Sequence, residues 1–278
     1  MNLEDFDLDQ IDYGSLKYTL ADQWMLSRLN KKIHQVTEDL EDYQFGRVAE
    51  DLYDFIWKEF CDWYIELAKP RLYQEEDEAA RQTAQYVLWF ALDNILRLLH
   101  PVMPFITEEI WQHLPGQGES ISLASWPEPD SLSVNDRAEG KMELIMSAIQ
   151  KIRNIRNEMK VNPGKEITAI LTSDVEEKLD ILEEGSDYIC NLANVADLTI
   201  TEELAERPDK ASTAITEEVE IILPLEDLVD IDKEIARLEE EIEETEYEIE
   251  RAKGKLNNEG FVNNAPDHLV AEEREKKE

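Results

Sequence analysis

Lys151-Ile152-Arg153-Asn154-Ile155-Arg156-Asn157-Glu158-Met159-Lys160, followed by Lys165, is the densest basic run of this chain, with four cations against one Glu up to Lys160. At helical spacing Arg153, Arg156, Asn157 and Lys160 share a face away from the apolar stripe, and Lys151 opens the run. Such a face could neutralise phosphates while the asparagine side chains reach base edges. The competing reading is pairing with the acidic surface around it. Arg28, Lys31 and Lys32 form a second cluster on the outer face of an earlier helix, where solvated charges are ordinary decoration. Lys69, Arg71 and Arg97, near the ends of two helices, are weaker phosphate candidates. Trp57, Trp63, Tyr64, Trp89 and Trp111 could stack on unpaired bases, but they lie on or near inward stripes and are expected in the core.

No catalytic constellation accompanies these residues. His34, His100, His113 and His268 are scattered, with no Cys or carboxylate at metal-ligand spacing, so no metal site is expected. His100, before Pro101, reads as a helix-end hydrogen-bonding residue. With 65 acids in 278 residues, pairs such as Glu108-Glu109 and Asp62/Glu66 carry no catalytic signal; compensation of a helix dipole is the expected role of Glu108 and Glu109. Cys61 and Cys190 are far apart among apolar or aromatic residues, as expected of reduced thiols. The formal net charge of −37 repels nucleic acid on average. Either the function is not RNA binding, or the excess acid suits a saline cytoplasm and the RNA contacts are local basic islands; the second reading is adopted. The longest apolar run, Tyr86 to Leu92, falls far short of the ~20 residues that cross a bilayer, and the acidic start lacks the order of a secretory signal. A cytoplasmic protein without a membrane role is expected.

The elements that must position these residues are mostly helical. Residues 1 to about 18 read as a linker. Thr19 with Asp22 marks a helix start, and Leu26, Leu29, Ile33, Val36 and Leu40 continue it. A second helix from Phe45 turns Val48, Leu52, Phe55, Ile56, Phe60, Tyr64 and Leu67 inward and is expected to stop at Pro70. A third, from about Glu75 to Leu99, buries Ala84, Val87, Ala91, Ile95 and Leu98. After the tight corner His100 to Met103, a helix from Pro104 to Leu114 puts Ile106, Ile110, Trp111 and Leu114 on one side and completes a four-helix bundle. Gly116 to Asn135 should be an irregular crossing pinned by Trp126. A helix over Asp136 to Met159 follows, then a small α+β unit with strands at Ile167 to Thr172, Leu198 to Thr201 and Val219 to Leu223 and a helix near Val175 to Ala193. Ile231, Ile235, Leu238, Ile242, Thr245, Ile249, Ala252 and Leu256 form a coiled-coil seam. The resulting division is 1–128, linker and bundle; 129–225, helix plus α+β unit; 226–278, a truncated arm.

The stretch from Leu96-Arg97-Leu98-Leu99-His100-Pro101 through Pro115, with Phe60-Cys61-Asp62-Trp63-Tyr64-Ile65-Glu66 and Asn258-Glu259-Gly260-Phe261-Val262, closely resembles the C-terminal third of the bacterial valyl-tRNA synthetases over nearly the whole chain. The resemblance implies a mainly α architecture: an anticodon-binding bundle, a small α+β connector and a coiled-coil arm that touches the tRNA corner. It implies the tRNA for valine as partner. It further implies that Met1 is internal, that the chain is a fragment, and that ATP and magnesium belong to the missing catalytic half. The HIGH and KMSKS signatures of class I synthetases are absent from the sequence, so no cofactor and no amino-acid activation are expected of this chain alone. The alternative reading is a stand-alone acidic interaction protein. Thirteen acids between Glu226 and Glu250 oppose self-pairing of the arm, so a monomer is expected at low salt, with arm-mediated association as salt rises.

Overall fold

The computed structural model describes residues 6–73, 77–129, 134–204 and 207–225, with scattered positions between 242 and 256. Helix α1 (Leu20–Glu41) opens with a complete capping box, in which Thr19 accepts from the Asp22 amide and Asp22 accepts from the Thr19 amide. Asp22 is also fully buried. Its carboxylate takes a two-pronged ion pair from Arg71 (both contacts 2.7 Å) and the Tyr64 hydroxyl at 2.8 Å. A cap residue of the first helix thus anchors the end of the second.

That second helix departs from simple α periodicity. Helix α2 (Phe45–Asp54) runs into a π-helical stretch, Phe55–Ile65, and then into α3 (Glu66–Leu72). Widened turns with i→i+5 bonds move the inward face by five rather than four residues. Phe55, Phe60 and Tyr64 are therefore buried together with Trp63, whereas Ile56 is only half-buried. Pro70 does not stop the helix as expected. The ion pair of Arg71 with Asp22 holds the last turn in place, and the Tyr73 amide still reaches the Lys69 carbonyl at 3.2 Å.

Helix α4 (Glu78–Leu99), capped by Asp77, buries all five positions assigned to its inner face. At the corner into α5 (Pro104–Gln112), His100 bridges the Thr107 hydroxyl at 2.7 Å and the Ser122 hydroxyl at 3.0 Å, the expected hydrogen-bonding role. The inward face of α5 is Thr107, Trp111 and, just beyond it, Leu114; Ile106 and Ile110 are exposed, contrary to expectation. The period explains the difference, because 107, 111 and 114 lie at i, i+4 and i+7. Trp111 donates to buried Asp93 at 2.8 Å, locking α5 onto α4.

Glu108 does not serve the helix dipole as expected. Its carboxylate accepts from Gln112 Nε2 (2.8 Å), Ser120 Oγ (2.7 Å) and the Ile121 amide (3.4 Å), stapling the next loop to the corner. The Gln112 and Ser120 hydrogen bonds hold this carboxyl below the usual carboxylate range. A depressed pKa stabilises above the ordinary carboxylate pKa, and that contribution disappears as pH falls through the folded value. Protection of the Ile121 amide from hydrogen exchange is therefore expected to drop on acidification, and Glu108→Gln should flatten that dependence.

Trp126 pins the crossing segment by donating to Thr37 at 2.9 Å, and α6 (Asp136–Glu158) then leads to the α+β unit. Four strands, β1 (Ile167–Thr172), β2 (Val195–Thr201), β3 (Ala211–Thr216) and β4 (Val219–Pro224), are ordered β2-β1-β4-β3, with β1 and β2 parallel and the other pairs antiparallel. Between β1 and β2 the expected single helix is two, α7 (Glu176–Glu184) and α8 (Ser186–Ala193), separated at Gly185. A side chain at Gly185 would collide with Ile145 of α6. One continuous core joins the bundle, α6 and the sheet; a second joins Phe6 and Ile11 to Leu96, Trp111, Leu114 and Ile121. Ile231, Ile235, Leu238 and Ala252 of the seam and the Lys255 to Val262 stretch lie outside the described residues, apart from Leu256.

Candidate nucleic-acid interface

Helices α1 and α6 and the π-helical stretch converge on Trp63. A cleft of about 230 Å³ opens there, lined by Trp24, Arg28, Lys58, Glu59, Trp63, Glu139, Glu143 and Met146. Arg28 forms a fork with Glu59, Nε to Oε2 at 2.6 Å and Nη2 to Oε1 at 2.7 Å. Hydrogen bonding to Glu59 pushes the Arg28 pKa up and keeps its charge fixed. Glu139 receives Arg28 at 3.4 Å, Lys31 at 3.0 Å and the Ser27 hydroxyl. Outside the cleft lining, the Arg153 guanidinium lies 5.7 Å from the centroid of Trp63, a cation–π contact, while its Nε donates to the Leu192 carbonyl at 2.8 Å.

The two basic clusters of the sequence thus each bring an arginine near one tryptophan, but most of their cations are already engaged. Lys31 is held by Asp136 at 2.6 Å, which with Glu139 raises its pKa, and Lys32 faces Asp51 at 3.8 Å. Arg156 does not share an outer face with Arg153. It is buried, 7% exposed, and its guanidinium donates to the carbonyls of Lys165 (2.8 Å), Asn162 (3.2 Å), Pro163 (3.2 Å) and Asn194 (3.4 Å). The physical reason is the turn after α6, whose carbonyls have no strand or helix partner and converge on one cation. Helix α6 ends at Glu158, and Lys160 follows in left-handed backbone with φ 50°, so it too leaves the helical face. Asn157 is exposed in the last helical turn and Lys151 is half-exposed. Among the weaker candidates, Arg71 is committed to Asp22, Arg97 to Asp93 at 2.8 Å, and Lys69 to Glu66.

Sequence reading missed Lys58 and Trp24, which the cleft brings beside Arg28. Lys58 stands at the mouth with its side chain 67% exposed, 2.9 Å from Asp54. Its i,i+4 spacing to Asp54 was visible, but only the π-turns place it next to α1. Trp57, expected in the core, is 53% exposed and lies 6.3 Å from exposed Tyr53; the same widened turns rotate it outward. Trp63, Tyr64 and Trp111 are buried as expected. Chemically, the cleft offers two indole edges, two cations at its rim and three glutamates. Arg28 is spent on Glu59 and Glu139, so of the two cations Lys58 is the one positioned to meet a phosphate, while the carboxylates can accept from amino groups. Cys61 and Cys190 are both free, and burial raises both thiol pKa values.

Residues 22–171 match the profile of the anticodon-binding domain of tRNA ligase, and residues 230–278 match that of the valyl tRNA synthetase tRNA binding arm. The chain is 45% identical over 276 residues to the valine–tRNA ligase of Bacillus subtilis, covering 99% of this chain. It is 48% identical over 278 residues to that of Geobacter sulfurreducens, again covering 99%, and 44% identical over 278 residues to that of Geobacillus kaustophilus. It spans 31% of the length of each of these relatives. The alignment along almost the full chain removes the support for a stand-alone acidic interaction protein. The helical bundle and the first of these matches, which covers more than half of the chain, show that it belongs to the anticodon-binding family of tRNA ligases, in the C-terminal region of the valine branch.

Proposed function

We propose that this chain is the tRNA-binding region of a valine–tRNA ligase, in which the bundle recognises the anticodon stem and loop of the tRNA for valine and the arm contacts the body of the same tRNA. The observation that carries this reading is the presence in one chain of both matches, the anticodon-binding domain over 22–171 and the tRNA-binding arm over 230–278. Attachment of valine with ATP and magnesium belongs to the other two thirds of such an enzyme, and this chain contributes affinity and discrimination in the cytoplasm without a cofactor of its own. As a free chain it is a monomer at low salt. The cleft beside Trp63 is the loop-facing part of the interface, with Lys58 meeting phosphate at its mouth and half-buried Arg153, outside the cleft lining, offering a second phosphate contact.

Filter binding of valine tRNA across a salt series tests this. Affinity is expected to fall with salt, and Lys58→Gln and Arg153→Gln should each flatten the slope by about 0.7, the value for one contact to single-stranded phosphate. Binding by the parent chain with an unchanged slope in both variants would remove the cleft from the interface.

A further inference from the structure

Three carboxylates line the cleft beside Trp63, and two of them are spent. Glu59 accepts the Arg28 fork on both of its oxygens. Glu139 takes Arg28, Lys31 and the Ser27 hydroxyl, and its side chain is only 15% exposed. Glu143, one turn further along α6, is exposed, and no donor among the described residues reaches it. The cations divide in the same way. Arg28 is held by Glu59 and Glu139, whereas Lys58 rests on Asp54, which is not part of the lining, and not on Glu143. The cleft thus keeps one anion and one cation, on different helices, that do not satisfy each other.

The rest of the lining is apolar: Trp24 and Trp63 are 3% and 8% exposed, and Met146 is half-buried. At about 230 Å³ the cleft is smaller than the ~300 to 1,000 Å³ of sites that take whole cofactors or drug-sized ligands, which suits a single planar ring system. An ionised carboxylate can only accept hydrogen bonds. It favours a base that turns an amino group toward it and repels one that turns a carbonyl oxygen toward it. Adenine and cytosine carry an exocyclic amino group on the pairing edge; hypoxanthine and uracil are the same rings with oxygen in its place. Valine codons begin with G and U, so the two anticodon bases shared by valine tRNAs are an adenine and a cytosine. We infer that Glu143 is a specificity-determining residue, whose carboxylate accepts from the exocyclic amino group of one of these two bases while the ring lies against Trp24, Trp63 and Met146 and Lys58 meets an adjoining phosphate. This rests on the reading of the chain as the tRNA-binding region of a valine–tRNA ligase.

Shape-conserving changes on both partners test it. Filter binding compares valine tRNA with two semisynthetic forms, one carrying hypoxanthine for the anticodon adenine and one carrying uracil for the anticodon cytosine. Each is measured with this chain and with Glu143→Gln. The unchanged chain is expected to bind at least one of the altered tRNAs at least ~10-fold more weakly than valine tRNA. Glu143→Gln is expected to abolish that difference, because an amide can turn its oxygen to an amino group or its NH2 to a carbonyl. The ratio of affinities cancels the general gain in RNA binding that follows the loss of one negative charge. Since Glu143 is exposed and has no partner among the described residues, the variant should melt at the temperature of the unchanged chain. A ratio in Glu143→Gln equal to that of the unchanged chain would overturn the inference and leave the proposed function standing. Equal binding of all three tRNAs by the unchanged chain would overturn it as well; if a tRNA with an unrelated anticodon were bound equally too, or no tRNA were bound, the proposed function would fall with it.

Discussion

Replacing Arg71 with Ala is expected to destabilise the chain by about 3 to 5 kcal/mol, the cost of stripping one partner from a buried ion pair. Asp22 is inaccessible and holds Arg71 through two 2.7 Å contacts, so the variant leaves a carboxylate in the core with only the Tyr64 hydroxyl and the Thr19 cap to satisfy it. The damage should spread, because this carboxylate caps α1 and also fixes the last turn of α3. Asp22→Asn, which keeps the shape and removes the charge, is expected to cost less than Arg71→Ala, and a paired Asp22→Leu/Arg71→Met change should cost less than the two single changes summed. Urea unfolding followed by circular dichroism measures all five variants, Asp22→Leu and Arg71→Met alone included. A loss below about 1 kcal/mol for Arg71→Ala, in the range of an exposed pair, would show that the site is hydrated and that the bundle is held elsewhere.

The second large effect is expected at Arg156. Its removal takes a charged donor from the carbonyls of Asn162, Pro163 and Lys165, which keep the Lys165 amide (2.9 Å) and the Asn194 side chain (3.2 and 3.0 Å) as partners. With hydrogen bonds to a charged donor worth about 1.5 to 3 kcal/mol, and with those remaining donors softening the loss, Arg156→Ala should cost about 2 kcal/mol. Arg156→Lys should recover little, since a single ammonium cannot span the carbonyls that the planar guanidinium reaches. The variant separates structure from binding: stability should fall while the salt slope of tRNA binding in the folded protein stays unchanged. A stable Arg156→Ala protein with a flatter slope would return this residue to the phosphate-binding face that its sequence position suggested.

Arg156 also shows where the sequence misleads. The helix end expected at Met159 falls one residue from the observed Glu158, and Arg153 and Arg156 both lie inside α6; what the run does not announce is the turn beyond it, whose carbonyls draw Arg156 inward. Long, strongly periodic elements were legible: the Thr19/Asp22 capping box, the inner face of α4, the Trp126 pin and the hydrogen-bonding role of His100 all follow from local chemistry. The π-helical stretch was not, because its hydrophobic spacing mimics an α-helix with one irregular step, and that step decides whether Ile56 or Trp63 faces in. Strand β3 escaped notice because Ala211-Ser212-Thr213-Ala214-Ile215-Thr216 lies at the sheet edge, with alternate residues half-buried and exposed and too few apolar side chains to mark a period. Its hairpin was hidden as well. Glu217 and Glu218 both adopt positive φ (44° and 66°) where Asn-Gly is the usual signal. Lys178 compensates by contacting the Glu217 carbonyl and the Glu218 carboxylate, the latter at 3.2 Å. The cleft was legible only in halves, since the residues of α1, the π-turns and α6 that line it are brought together by the bundle.

The net charge of −37 is reconciled with an RNA partner by how the cations are used. Arg28, Lys31, Lys32, Arg71 and Arg97 each contact an acid, so the basic residues of the bundle largely organise its own acidic side chains. Few are left to attract phosphate, and affinity should depend on shape and on particular contacts more than on long-range attraction. Discrimination by the loop is then the property on which the account stands. Its most direct test is filter binding of this chain to the valine tRNA and to the same tRNA carrying a different anticodon, at one fixed salt concentration. The account predicts that the exchanged tRNA binds at least ~10-fold more weakly, a difference of about 1.4 kcal/mol; equal affinity for the two, or no binding of either, would contradict it.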